Sequence, residues 1–253
     1  MNDHQQRVSM PAPNEGYELL IEAGGACFAR YPIATHKITD QDNITNVALK
    51  YTQGLLQKGD ILFLSEKAVA CSQGRAIPLT NVRAGWLARL LSRYVYKSPY
   101  GVGLSMPETM EMAIRECGAP RILFAAFISA IGKMIGRHGW FYRIAGYKAA
   151  SIDPPWHGTL PPYNEYIILS PKEPTKVAKE IADITGVSVC VVDVNDLGGN
   201  ILGHSPLLEV DPELIIAALR DNPLGQRAAQ TPMGILRKIE NDESGVCSSS
   251  QRK

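Results

Sequence analysis

Cysteine is scarce in this chain: five residues in 253, at positions 27, 71, 117, 190 and 247. None forms a Cys-x-x-Cys pair, so neither a zinc ribbon nor a disulfide framework is signalled. Reduced thiols and a cytoplasmic location are expected. An excess of either charge is also missing. The 26 Lys and Arg stand against 25 Asp and Glu, a net charge of +1, which argues against the broad basic surface that nucleic acid requires. No apolar run is long enough to span a bilayer. The most apolar stretch, 122–135, is too short to span and carries Lys133, so a buried or interface helix is expected, with an interfacial membrane helix as the lesser alternative. The N-terminus is polar where a secretion signal would be apolar. A Walker loop is absent, and no internal repeat is visible. What is present is an ordinary folded composition, 45% apolar and 20% charged. That is enough for one large domain or two small ones.

The most informative stretch is 187–200. A Val-rich run, Val187 to Val192 with Cys190 inside it, reads as a strand buried on both faces. Asp193, Asn195 and Asp196 follow at once, and then the turn-forming pair Gly198-Gly199. Carboxylates at the carboxyl end of a buried strand can hold a hard cation. Capping of the turn through the local backbone accounts for them equally well.

Taken in order, residues 1–15 are polar and expected to be loose, and 17–22 is a short strand candidate. Thr35, His36 and Lys37 form a polar group between Ile33 and Ile38. It is either an exposed loop or a loop facing a phosphate or carboxylate. The spacing of Ile44, Val47, Ala48, Tyr51 and Leu55 predicts an amphipathic helix over 42–57. A strand at 61–64 then leads into Ser65, Glu66 and Lys67, followed by Gly74-Arg75. Helix, strand, polar cluster and glycine turn is an order that places ligands at strand ends. A strand at 76–79 and helices over 82–96, with Leu87, Leu90 and Leu91 inward, and from Pro107 to about 118 come next. The segment 136–146 reads as a turn. Asp153 precedes Pro154, which holds it extended. A strand at 166–169, a helix over 171–185 and the strand at 187–193 have the lengths of a parallel crossover. Asp211-Pro212 opens a helix to 219, and 241–253 is polar, Ser-rich and expected to be disordered.

These pieces resemble, in order, the coenzyme F-420 gamma-glutamyl ligase family, which joins glutamate to a deazaflavin coenzyme using GTP and a divalent metal. Residues 58–75, Lys-Gly-Asp-Ile-Leu-Phe-Leu-Ser-Glu-Lys-Ala-Val-Ala-Cys-Ser-Gln-Gly-Arg, are similar to the family's Gly-Asp, strand and Ser-Lys-Ala-Glu-Gly-Arg segment. Thr35 to Ile38, with 40–44, is similar to its nucleotide-contacting loop. Ala149 to Asp153 is similar to Asn-Ala-Gly-Ile/Val-Asp, whose Asp binds metal. Thr185-Gly186 with the following strand makes Asp193 similar to the second metal Asp, and Asp196-Leu-Gly-Gly199 fits the same pattern. The chain also departs from the family. Pro154-Pro155 stands where the family has Ser-Asn. Cys71 takes the place of a Lys, with Lys67 nearby, and Asn200 takes the place of an Arg. Most of the family's C-terminal half is missing, so its metal-binding Gln has only Gln226 and Gln230 as candidates.

The resemblance implies an α+β, ligase-like fold with a mixed sheet and flanking helices over 16–205, then a helical or loop segment at 206–240. It implies Mg2+ or Mn2+ held by Asp153 with Asp193 or Asp196. GTP or ATP would be met by Thr35, His36, Lys37, Ile38, Ser65 and Glu66, with Lys67 and Arg75 as catalytic cations. The expected partners are a small-molecule substrate and a second copy of the chain, without nucleic acid or membrane. Two alternatives stand beside the ligase. One is a metal- or nucleotide-binding module without the transfer chemistry, and the other a scaffold whose interface is 122–135.

Overall fold

The computed structural model describes residues 9–95, 103–137, 139–195, 198–225 and 229–239. The first eight residues, residues 96–102, Asp196, Gln226 and the polar tail lie outside that range. The fold is α+β, as expected, and separates into two compact units. One comprises residues up to Gln73 and from Pro171 onward, the other Gly74–Ser170.

The first unit is built on a six-stranded mixed sheet. Its strands are β1 (Leu20–Ala23), β2 (Ala26–Ile33), β3 (Ile61–Ser65), β6 (Ser188–Asn195), β7 (Gly198–His204) and β8 (Met233–Ile239), in the order β1-β2-β8-β3-β6-β7. Only β3 and β6 are parallel neighbours; the other pairs are antiparallel. Helices α1 (Ile44–Thr52) and α8 (Pro174–Thr185) cover one face, packing on Leu62, Leu64, Val189, Val191 and Ile235. On the other face α9 (Pro212–Ala218) meets Phe28, Ile61, Phe63, Cys190 and Val192. Alternate residues of β6 thus enter two different cores, which is why its sequence is a continuous apolar run. Burial pushes the Cys190 thiol up to about 12, so it is an inert core group as expected. Cys27, by contrast, is disulfide-bonded, which corrects the all-reduced expectation.

β8 escaped the sequence reading and is a central strand. Its side chains alternate between the two cores, Ile235 on one and Leu236 on the other. It is pinned to the start of β3 by Asp60, which is 1% exposed. The Asp60 carboxylate accepts from Arg237 Nε and Nη2, both at 2.8 Å, and from the Gln57 amide at 2.8 Å. The Gly59-Asp60 pair therefore fastens the sheet at the end away from the Ser65 cluster. The short α2 (Glu66–Ser72) follows β3 directly, where sequence reasoning saw only a polar cluster.

The second unit is mainly helical. Its elements are a two-stranded antiparallel sheet of β4 (Ala76–Pro78) and β5 (Tyr166–Ile168), with α3 (Trp86–Ser92), α4 (Pro107–Cys117), α5 (Ala119–Met134), α6 (Trp140–Ala145) and α7 (Tyr147–Ala150). Its core gathers Leu104, Met110, Ile122, Ala125, Ile152 and Ile167. Gly118, at φ +83°, separates α4 from α5, which turn by 118°. Three expectations change here. The segment 136–146 contains α6 rather than a simple turn. Leu90 is 42% exposed, not inward. The strand at 166–169 does not form a crossover with β6, because β5 pairs with β4; the parallel partner of β6 is β3.

Candidate functional site

Most of the sequence-selected residues of the first unit fall on one rim of its sheet, and backbone register puts them there. Ile33, the last residue of β2, pairs with Met233 at the start of β8, and Met233 pairs with Leu64 of β3. Ser65 pairs with Val192, one residue before Asp193. Two backbone bonds continue the row beyond the ladders: Thr35 N–H to the Gln230 carbonyl at 3.0 Å, and Ser65 N–H to the Pro232 carbonyl at 2.8 Å. Thr35 to Lys37, Ser65 to Lys67 and Asp193 therefore occupy neighbouring chain ends. Gln230, one of the two candidates for the family's glutamine, joins them and holds a positive φ of 50°.

The 35–42 loop is organised around His36. Its Nε2 lies 2.9 Å from Asp42 Oδ1, and its Nδ1 lies 3.0 Å from the Tyr51 hydroxyl. A carboxylate only accepts, so Nε2 donates to Asp42. The Tyr51 oxygen accepts from the His36 amide at 3.1 Å. The second Asp42 oxygen accepts from the Thr39 amide at 2.8 Å and the Thr39 hydroxyl at 3.1 Å. The Thr39 amide, and then His36, hold the Asp42 carboxyl below its ordinary value. Asn43 caps α1 through the Asn46 amide at 3.1 Å. His36 thus fastens an exposed loop to α1, and Lys37 beside it is exposed. Sequence reasoning placed Tyr51 on the apolar face of the helix and missed its hydroxyl. The six-residue spacing from His36 to Asp42 was the only signal available.

The remaining residues differ in setting. Ile38 is buried in the core under the loop. The Thr35 hydroxyl donates to the His36 carbonyl at 2.7 Å and so supports the loop. Glu66 is buried at 5% exposure in the first turn of α2, while Lys67 is exposed. Asp193 is half-buried and pairs with Asn200 across β6 and β7.

Arg75 and Asp153 belong to the second unit. Arg75 is 8% exposed. Its guanidinium donates to the Ser170 carbonyl through Nε and meets Glu116 at 2.5 Å through Nη2. It is therefore a buried structural ion pair within its own unit. Asp153 is held extended, as its following proline requires. Its backbone exchanges both bonds with Ile168, at 2.9 and 3.1 Å. Among the described residues no three His, Cys, Asp or Glu side chains gather as a metal cage.

A family model described as F420-0:Gamma-glutamyl ligase matches residues 32–203. The chain belongs to this gamma-glutamyl ligase family. No curated protein matches the chain. The matched span opens at the carboxyl end of β2, takes in β3, α2 and β6, and closes in β7, so it encloses every sequence-selected site residue except Gln226 and Gln230. The central strand β8 and helix α9 lie beyond it.

Proposed function

We propose that the chain is a nucleotide- and divalent-metal-dependent ligase that forms an amide bond of the gamma-glutamyl type on a small molecule. The observation that carries this reading is the rim of the first unit. Two exposed cations, Lys37 and Lys67, stand with the Asp193 carboxylate on adjoining strand ends within the span that matches the ligase family. In such a reaction a carboxylate oxygen attacks the γ-phosphorus, a nucleoside diphosphate leaves and an acyl phosphate forms. The amine then attacks the acyl carbon, phosphate departs and the amine loses a proton. Lys37 and Lys67 would neutralise phosphate oxygens, and the His36 latch would keep the loop carrying Lys37 in place. A Mg2+ or Mn2+ ion at Asp193 would spread the charge that develops on the transferred phosphoryl group.

Two observations favour a second reading, a binding module without transfer. The Arg75 guanidinium is already paired with Glu116, and the Thr35 hydroxyl with a backbone carbonyl. The deciding experiment measures melting temperature with GTP or ATP plus Mg2+ or Mn2+, then inorganic phosphate release on addition of glutamate with a carboxylic-acid acceptor. Stabilisation with acceptor-dependent phosphate release supports the ligase. Stabilisation without release supports the binding module, and no stabilisation by any pair removes both.

A further inference from the structure

α5 packs into its unit through Ile122, Ala125 and Gly132 and leaves large apolar groups outside. Phe124 is 57% exposed, Phe127 63%, Met134 86% and Ile135 60%. α3 adds Trp86 and Leu90, with Tyr94 just beyond its end, at four-residue intervals, exposed at 76%, 42% and 69%. The two stripes meet where Lys133 Nζ donates to the Tyr94 carbonyl at 2.6 Å. Single exposed apolar residues need no explanation, but a continuous helical face of aromatics does.

The charges around this face are mainly positive, the exceptions being Glu108, which shares a pocket with Arg89 and Arg93, and Glu111, which accepts from the Gly85 amide at 3.0 Å. No Asp or Glu occurs between Gly118 and Ile152, whereas Arg121, Lys133, Arg137, Arg143 and Lys148 are all exposed there. None occurs from 67 to 107 either, a segment that carries Arg83, Arg89 and Arg93. The whole of 74–170 holds eleven Lys and Arg against five Asp and Glu, while the chain is nearly neutral. Two of the three acids on α4 are matched internally: Glu111 meets Arg115 at 3.0 Å and Glu116 meets Arg75.

We infer that this face of the second unit docks on a lipid bilayer surface bearing anionic headgroups. The occupant must accept apolar side chains and supply negative charge next to them, and an anionic membrane interface does both. A second copy of the chain fits poorly. A two-fold contact sets like surfaces against each other, and this one would set its cationic excess against itself. The geometry is that of a helix lying in the interface. No single helix among the described residues is long and apolar enough to cross a membrane, and α4 turns away from α5 at Gly118. Phe124, Phe127 and Met134 enter the headgroup boundary, Trp86 and Tyr94 sit at its level, and the Lys and Arg side chains meet lipid phosphates.

The test is flotation of the full chain with two kinds of vesicle, phosphatidylcholine alone and phosphatidylcholine mixed with phosphatidylglycerol. The chain floats with the mixed vesicles and not with the neutral ones, and raising salt weakens the association. Lys133→Gln with Arg137→Gln lowers the partition coefficient about 25-fold, from about fivefold per cation at an anionic surface. Phe124→Ser with Phe127→Ser lowers it at least about tenfold. All four positions are exposed, so unchanged melting temperatures show that the variants remain folded. Failure to float with either vesicle, or equal flotation of parent and variants, overturns the inference. So does a dimer in light scattering that the Phe variants dissociate, since that assigns the face to a second copy.

Discussion

Truncating Asp60 to Ala tests how the sheet that carries the rim is held. The Asp60 carboxylate is 1% exposed and accepts three hydrogen bonds at 2.8 Å. Its partner Arg237 also donates to the Leu55 carbonyl at 3.1 Å and lies over the Tyr31 ring at 5.5 Å. The bonds with Asp60 raise the Arg237 pKa, but a guanidinium is protonated at neutral pH without them, so Arg237 keeps its charge when the carboxylate is removed. Removing one partner of a buried pair costs about 3–5 kcal/mol. The Arg237 side chain retains 16% exposure, so the lower end of about 3 kcal/mol applies. At about 2–4 °C per kcal/mol for a chain of this size, Asp60→Ala should lower the melting temperature by about 6–12 °C. The double variant with Arg237→Met should recover a large part of that loss, because no unpaired charge then remains. Calorimetry on the two single variants and the double variant reads this directly. A fall of less than about 2 °C, or strictly additive losses, would refute the assignment of Asp60–Arg237 as the fastener of β8 to β3.

Three further outcomes follow from single contacts. The Asp42 carboxyl is held below its ordinary value of 3.8. Its contribution is therefore present above that pH and lost as pH falls through the lower folded value. It should amount to no more than about 1 kcal/mol for so exposed a pair, and it should vanish in Asp42→Asn when urea midpoints are followed from neutral to acid pH. Gly203→Ala should destabilise by at least about 1–3 kcal/mol. A Cβ there would lie 2.2 Å from the Thr175 amide nitrogen and 2.5 Å from the Pro174 carbonyl carbon, and the α8 backbone has no cheap way to retreat; a denaturant midpoint equal to that of the parent would contradict this. Asp153→Asn should leave the fold intact, since the bonds with Ile168 use its backbone, yet weaken stabilisation by Mn2+ with nucleotide, as the family resemblance implies; a thermal shift that persists undiminished removes Asp153 from the metal set.

The first unit was largely legible because its signals are local. The Val run of β6, the amphipathic period of α1 and the strand at Ile61–Ser65 each declare themselves within a few residues. The rim residues were found the same way, as polar groups that follow buried strands. What escaped depends on distant partners. β8 lies far along the chain from the strands it joins, and only the arrival of Arg237 at Asp60 reveals its central place. The role of Arg75 could not be read either, since its partner Glu116 is forty-one residues away. The apolar run at 122–135 is helical, as its sequence predicts. Its outward face showed only once Ile122 and Ala125 were seen to satisfy the core without Phe124 and Phe127.

The central proposal is that a nucleotide meets the rim of the first unit through Lys37 and Asp193. Isothermal titration of GTP and ATP in the presence of Mn2+, against the parent chain, Lys37→Ala and Asp193→Asn, tests this most directly. Saturable binding by the parent, weakened at least about tenfold in each variant as loss of a charge-assisted contact requires, is the predicted result. Absence of binding by the parent, or equal affinity in all three proteins, would contradict it.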